Sequence, residues 1–160
     1  MDVDRLFDAW QAAWCGRDPD AFAGPCAPDL HYEDPLTTSP LRGPEELGEH
    51  ATRLWRAFSD VHMEQAGARL ADGRFAVAPC RLVGTHDGAL ETLPPSGKVI
   101  TVHLLFYCEL DHREPRLWRV RAFFDAYAAG VELGVLPKRG SISERALLLL
   151  RGYGLRLPKK

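Results

Sequence analysis

The stretch VITVHLLFYCEL, residues 99–110, alternates without a break. Ile100, Val102, Leu104, Phe106, Cys108 and Leu110 fall on one face, and Thr101, His103, Leu105, Tyr107 and Glu109 on the other. Successive side chains of a strand point to opposite sides, so a wholly apolar face of this length must be covered while its opposite need not be. That asymmetry predicts a central antiparallel strand with helices on one side only. Downstream, Asp111 to Pro115 reads as a turn, and Leu117–Phe124 sets Val120, Ala122 and Phe124 against Arg119, Arg121 and Phe123. Upstream, residues 74–86 place Ala76, Ala78, Cys80, Leu82, Gly84 and His86 on one face. Such small side chains leave volume that helices do not have to fill, which is where a cavity is expected. Asp72-Gly73 supplies a hairpin turn behind a further strand over 61–70, and Gly88, Pro94, Pro95 and Gly97 make 87–98 a connection.

The period changes before residue 60. Val3, Leu6, Phe7, Trp10, Ala13 and Trp14 recur at three- and four-residue steps, an amphipathic helix. Asp18-Pro19 caps and opens a short second helix, which Pro25 and Pro28 end. A short strand over 30–34 stops at Pro35, and residues 36–43 form a loop. A third helix follows, with Pro44 near its start, Glu45 and Glu46 in its first turn, and Leu47, Ala51, Leu54, Trp55 and Phe58 on its apolar stripe. After the sheet, 126–136 reads as a short helix, and Ser141 with Glu144 forms a capping-box pattern for a last helix through Arg151. The prediction is one α+β domain over 1–137, three N-terminal helices on a curved, mainly antiparallel sheet, with a basic helical extension at 138–160.

Composition agrees with a folded domain: 160 residues, 46% hydrophobic and 26% charged. No apolar run is long enough to span a membrane, and the acidic start runs straight into a helical pattern, so a soluble cytoplasmic protein is expected. Cys15, Cys26, Cys80 and Cys108 lie far apart and are read as buried free thiols. Residues 133–160 hold seven Lys/Arg against Glu144 alone. Without aromatic interleaving this tail is read as packing on an acidic face or a partner subunit, not on nucleic acid. His31 and Glu33 lack a third ligand, so no metal is expected. Glu46 and His50, four apart, read as a surface pair.

Several residues carry possible chemistry. Asp34 shares a strand face with Leu30 and Tyr32. If that face looks inward, its carboxylate can take a proton from carbon; otherwise Asp34-Pro35 is turn chemistry. Asp125, at a strand-to-helix junction, is a natural N-cap. His86 ends the small-residue face and can shuttle a proton near neutral pH. His103, on the opposite face, points toward a subunit interface instead. Trp10, Trp14, Tyr32, Trp55, Phe106 and Phe124 either line an aromatic pocket or fill the core.

Three motifs in order resemble the nuclear-transport-factor-2-like superfamily, the cone-shaped fold of ketosteroid isomerases and SnoaL-like polyketide cyclases. Tyr32-Glu33-Asp34-Pro35 followed by Arg42-Gly43 is similar to the isomerase segment carrying a catalytic Asp. Residues 84–88 with 94–98 resemble the cyclase hairpin, and Phe124-Asp125 with Leu133-Gly134-Val135-Leu136-Pro137 resembles the cyclase end. The likeness spans about 3–137. It implies a cyclase or isomerase without cofactor, acting on a hydrophobic polyketide-type molecule in natural-product (antibiotic) biosynthesis, with Asp125, Asp34 and His86 as catalytic groups. It also implies a homodimer. Trp10 and Phe106 stand where ketosteroid isomerases place their Tyr and acid, and Phe106 donates no hydrogen bond, so steroid isomerisation is not expected. A pericyclic cyclase working by shape, or a non-catalytic ligand-binding or dimerisation module, are the alternatives.

Overall fold

The computed structural model describes residues 3–151. Helix α1 (Val3–Gly16) buries Leu6, Phe7, Trp10, Ala13 and Trp14 along the expected stripe. A 3-10 helix (Pro19–Ala23) follows, with the Asp18 carboxylate accepting the Asp20 N–H at 3.0 Å and Pro19 in the first position. Then come β1 (Cys26–Glu33), β2 (Leu41–Arg42), α2 (Gly43–Ala57), β3 (His62–Gln65), β4 (Leu70–Asp72), β5 (Phe75–Thr85), β6 (Val99–Leu110), β7 (Leu117–Phe124), α3 (Ala126–Leu133) and α4 (Ile142–Leu150). The sheet runs β2-β1-β7-β6-β5-β3, with β4 also on β5. Every pairing is antiparallel except β1 with β7. Among the described residues, four α-helices accompany an open, mostly antiparallel sheet, and α1, α2 and α3 pack against it.

Four features differ from the sequence reading, one being β2, which pairs with β1 inside the expected 36–43 loop. β1 starts at Cys26, because Pro28 is accommodated where its register with β7 shifts between Cys26 and His31. The expected 61–70 strand is two strands: Ala66 N–H turns onto Pro79 O at 2.9 Å, and a Cβ on Gly67 would press on Pro79. The helix after β7 ends at Leu133, where Gly134 at φ +85 closes it with its N–H on Gly130 O and Val131 O. α4 is capped by Ser141 as expected, yet it buries nothing and leaves Ile142, Leu148 and Leu150 exposed. The tail's Arg156, Lys159 and Lys160 lie outside the described residues.

The sheet's inner face is divided. At one end Ala76, Ala78, Cys108, Leu110, Leu117 and Val120 are buried in one core with the α1 stripe. At the other end Leu82, Val102 and Leu104 stay partly open although they lie on the same apolar face. All four cysteines are free. Burial pushes the Cys26 thiol up to about 12 and Cys80 to about 11, so both remain protonated and pack as small apolar groups.

Among the described residues no helix is long and apolar enough to cross a membrane, and no cluster of three or more His, Cys, Asp or Glu could hold a metal.

Candidate functional site

The open end of the inner face is a cavity of about 910 Å³, within the range of small-molecule sites. Leu82, Gly84, Ile100, Val102 and Leu104 form its floor, and α2 and residues 89–93 form its sides. The close fit of α2 has a local cause: a Cβ on Gly48 would lie 2.6 Å from Pro19 O, so glycine lets the helix settle onto the 3-10 helix. A smaller depression of about 400 Å³ lies outside, between β1 and the start of α2, where Arg42 and His31 already bond each other.

One wall carries the polar groups. β1 points Leu30 and Tyr32 inward, and the next residue on that side is Asp34. The Asp34 side chain is only 5% exposed, and it bonds on both oxygens. Oδ1 accepts the N–H of Leu36 at 2.7 Å and of Thr37 at 3.0 Å, a turn that Thr37 Oγ1 reinforces. Oδ2 accepts the Tyr32 hydroxyl at 3.0 Å and faces His50 Nε2 at 2.8 Å. The turn chemistry and the inward-facing carboxylate are therefore both present in one residue. Burial acts to raise the Asp34 pKa, but the His50 bond and charge, the Leu36 N–H and the Tyr32 hydroxyl outweigh it, holding it below the ordinary value. Asp34 is ionised at neutral pH. The Tyr32 hydroxyl is pushed well up, by burial first and then by the adjacent carboxylate, so it stays a donor.

His50 overturns its reading as half of a surface pair. Glu46 instead reaches back to the Arg42 N–H at the start of α2, at 2.7 Å, while His50 turns inward to Asp34 with its side chain 12% exposed. Its position held the clue: three residues after Leu47 and four before Leu54, it lies on the apolar stripe. Its ring sits 5.9 Å from that of Tyr32. Nδ1 has no hydrogen-bond partner among the described residues.

The other expected site residues divide. Tyr32, Trp14, Phe106 and Phe124 line the cavity. Trp10 does not; it packs edge-on to Phe106 at 5.3 Å within the core. Trp55 is also a core residue, its indole N–H bonding Trp14 O at 2.9 Å. Asp125 is exposed, caps α3 by accepting the Ala128 N–H at 2.9 Å, and is not part of the cavity lining. His86 is fully buried and also outside the lining. Its Nδ1 accepts the Ser96 N–H at 3.1 Å, and its backbone pairs with Gly97 and Lys98, so it ties the two ends of 87–98 together. The Asp87 and Gly88 N–H groups bond Ala57 O at the end of α2, fixing the segment whose Leu90 and Leu93 border the cavity. His103 is exposed on the outer face.

The arrangement is a hydrophobic chamber with one buried carboxylate–imidazole pair on its wall. The family model of SnoaL-like polyketide cyclase matches residues 4–132. TsrD from Streptomyces laurentii superposes with a TM-score of 0.73 at 21% identity, covering 84% of this chain and 96% of its own. IdmH from Streptomyces antibioticus, described as a candidate polyketide cyclase, gives 0.70 at 18%, covering 84% and 100%. A protein from Catenulispora acidiphila with a ketosteroid-isomerase-like fold, solved with trimethylamine, gives 0.69 at 18%, covering 82% and 93%. At these identities the structures speak for the fold alone. No curated protein matches the chain.

Proposed function

The chain belongs to the SnoaL-like polyketide cyclase family, and from that premise we propose that it is a cofactor-independent cyclase or isomerase of a hydrophobic, carbonyl-bearing small molecule of polyketide type, made in natural-product biosynthesis. The observation that carries this reading is the Asp34–His50 pair, buried on the wall of an apolar cavity of about 910 Å³.

The pair divides the work. A carboxylate has about four acceptor sites, and the N–H groups of Leu36 and Thr37, the Tyr32 hydroxyl and His50 occupy them all. Asp34 therefore has no free lone pair for a substrate proton. It positions His50, accepting from Nε2–H and leaving Nδ1 as the base, and it stabilises the imidazolium that forms. In a cyclisation, Nδ1 removes a proton from a carbon beside a carbonyl, and the C–H pair becomes an enolate. The enolate carbon bonds to a second carbonyl carbon, whose π pair moves to oxygen, and the imidazolium returns the proton there. Product and substrate are isomers. Returning the proton to another carbon is isomerisation. General base help of this kind is worth about 10² to 10⁴ in rate, and a cavity that folds a flexible chain adds to it. Asp125 and His86 take no part in this scheme.

The test needs no native substrate. 2-Tetralone, a bicyclic ketone with acidic protons beside its carbonyl, is incubated in D₂O and exchange is followed by NMR. The wild-type protein accelerates exchange, and His50→Gln loses the acceleration. If the wild type gives none, proton transfer is not what the cavity does. The saturation of Asp34 favours one alternative in that event: ring closure by shape, without a base.

A second copy of the chain is the expected partner. On the outer face Phe75 stacks on Tyr107 at 6.1 Å, and Leu105 pairs across the sheet with Phe123. All four are exposed. Ion pairs of Arg81 with Glu64, and of Arg121 with Glu33, border this strip with both signs of charge, as a self-complementary patch requires. Light scattering gives a dimer for the wild type and a monomer for Phe123→Glu; a wild-type monomer at working concentration removes the partner.

A further inference from the structure

The cavity rim carries a feature that proton transfer does not use. Arg53 and Arg56, both on α2, line the cavity beyond His50. Neither guanidinium forms an ion pair or hydrogen bond with any described residue. Five other arginines, Arg69, Arg74, Arg81, Arg119 and Arg121, each meet a carboxylate, and those without one among the described residues, such as Arg113 and Arg145, lie outside the cavity lining. On α2 the two rim arginines follow His50 at steps of three residues, so each lies about 4.5 Å further along the axis than the last. Like charges on adjacent turns repel, and the C-terminal dipole of α2 offsets this only in its last turn. The lining holds two carboxylates, Asp34 and Glu91. Asp34 is saturated, and Glu91, on the 87–98 segment, pairs with neither arginine.

We propose that Arg53 and Arg56 form the anion subsite of this cavity, so that the substrate is an apolar molecule with a carboxylate head, held with its reacting carbon at His50. The inference rests on the proposed function, because it names the substrate class of the same site. The apolar body lies over Leu82, Val102 and Leu104, and the carboxylate remains at the rim, where it keeps part of its hydration. Two guanidinium groups grip a carboxylate in a defined orientation. That grip fixes which carbon of a flexible chain reaches Nδ1. Glu91 also lines the cavity, and its negative charge discriminates against molecules bearing a second anionic group.

The experiment uses two fluorescent probes with one apolar body, 1-pyrenebutyrate and 1-pyrenebutanol, titrated into the full-length protein. The expected result is that the wild type binds the carboxylate more tightly than the alcohol. Arg53→Gln and Arg56→Gln each weaken pyrenebutyrate about fivefold and leave pyrenebutanol unchanged. Glu91→Gln strengthens pyrenebutyrate alone, and the paired Lys substitutions retain most of the preference. Raising sodium chloride to about 1 M, where the Debye length is about 3 Å, removes the preference for the carboxylate. Unchanged pyrenebutanol binding also shows that the variants are folded. Equal affinity for both probes, indifferent to the arginine substitutions, overturns the anion subsite and leaves the cavity reading standing. If neither probe binds, the ligand cavity itself fails, and this inference with it.

Discussion

Two halves of one sheet face teach opposite lessons. Cys108 and Leu110 on β6, and Leu117 and Val120 on β7, are all but inaccessible. Val102 and Leu104, on the same face of the same β6 strand, remain partly open. The alternation that sends them inward is identical. What differs is the cover: the α1 stripe fills one half, whereas α2 and the 87–98 segment stand around the other without filling it. An apolar face that is completed by helices yields stability, and the same face left incomplete yields a binding chamber. The acid–base groups sit on the chamber's wall, and the filled half carries none.

Four outcomes break or sharpen that contrast. The largest concerns chemistry. His50→Gln reduces proton exchange on 2-tetralone by about 10² to 10⁴, whereas Asp125→Asn, outside the lining, changes it little. Exchange that survives His50→Gln erases the functional difference between the halves. The next concerns stability. Leu110→Ala, in the filled half, costs about 3 kcal/mol in denaturant unfolding, as a large-to-small core change does. Leu104→Ala costs about 1 kcal/mol, because its neighbours already face a void. Equal losses would mean that the chamber is packed in solution.

Filling the chamber reverses the comparison. Leu104→Trp weakens pyrenebutanol at least about tenfold, while unfolding free energy stays within about 1 kcal/mol of the wild type, since added bulk enters space instead of strain. Loss of fold without prior loss of binding points to a filled site.

The smallest effect is in acid. The folded-state pKa of Asp34 lies below its unfolded value. As pH falls from the ordinary carboxylate value of about 4, the unfolded chain takes up the proton first. The stability contributed by Asp34 is thus complete above that value and is lost as pH drops through the folded pKa. Asp34→Asn flattens this part of the pH–stability profile. An unchanged profile means that the carboxylate is not held as described.

The fold was legible because most of its signals are local. Strict alternation placed β5, β6 and β7, Asp72-Gly73 placed a hairpin turn, and Asp18 and Ser141 marked helix starts, whereas Gly134, read as lying within a helix over 126–136, ends it. Tertiary pairing decided what the pattern could not. The parallel docking of β1 on β7 extended β1 past Pro28, and Pro79 opposite Gly67 broke one expected strand in two. The site was half legible. Asp34 stood out by its neighbours Tyr32 and Pro35, but whether its strand faced inward depended on that docking. His50 hid behind Glu46, because a spacing of four between acid and base has an ordinary surface explanation. Its place between Leu47 and Leu54 was the better guide. Asp125 and His86 were singled out by motif, and both serve the backbone: one caps α3, the other ties 87–98. The small side chains of β5 were a partial guide to the cavity, since Ala76 and Ala78 are packed in the filled half and only Leu82 and Gly84 reach the open one.

The most direct test of the account is the tautomer of His50, read by long-range ¹H–¹⁵N correlation on ¹⁵N-histidine-labelled protein and assigned with His50→Gln. The expected result is a protonated Nε2 bonded to Asp34 with a bare Nδ1, whose resonance shifts when pyrenebutanol fills the cavity. A proton on Nδ1, or a ring indifferent to the probe, would contradict it.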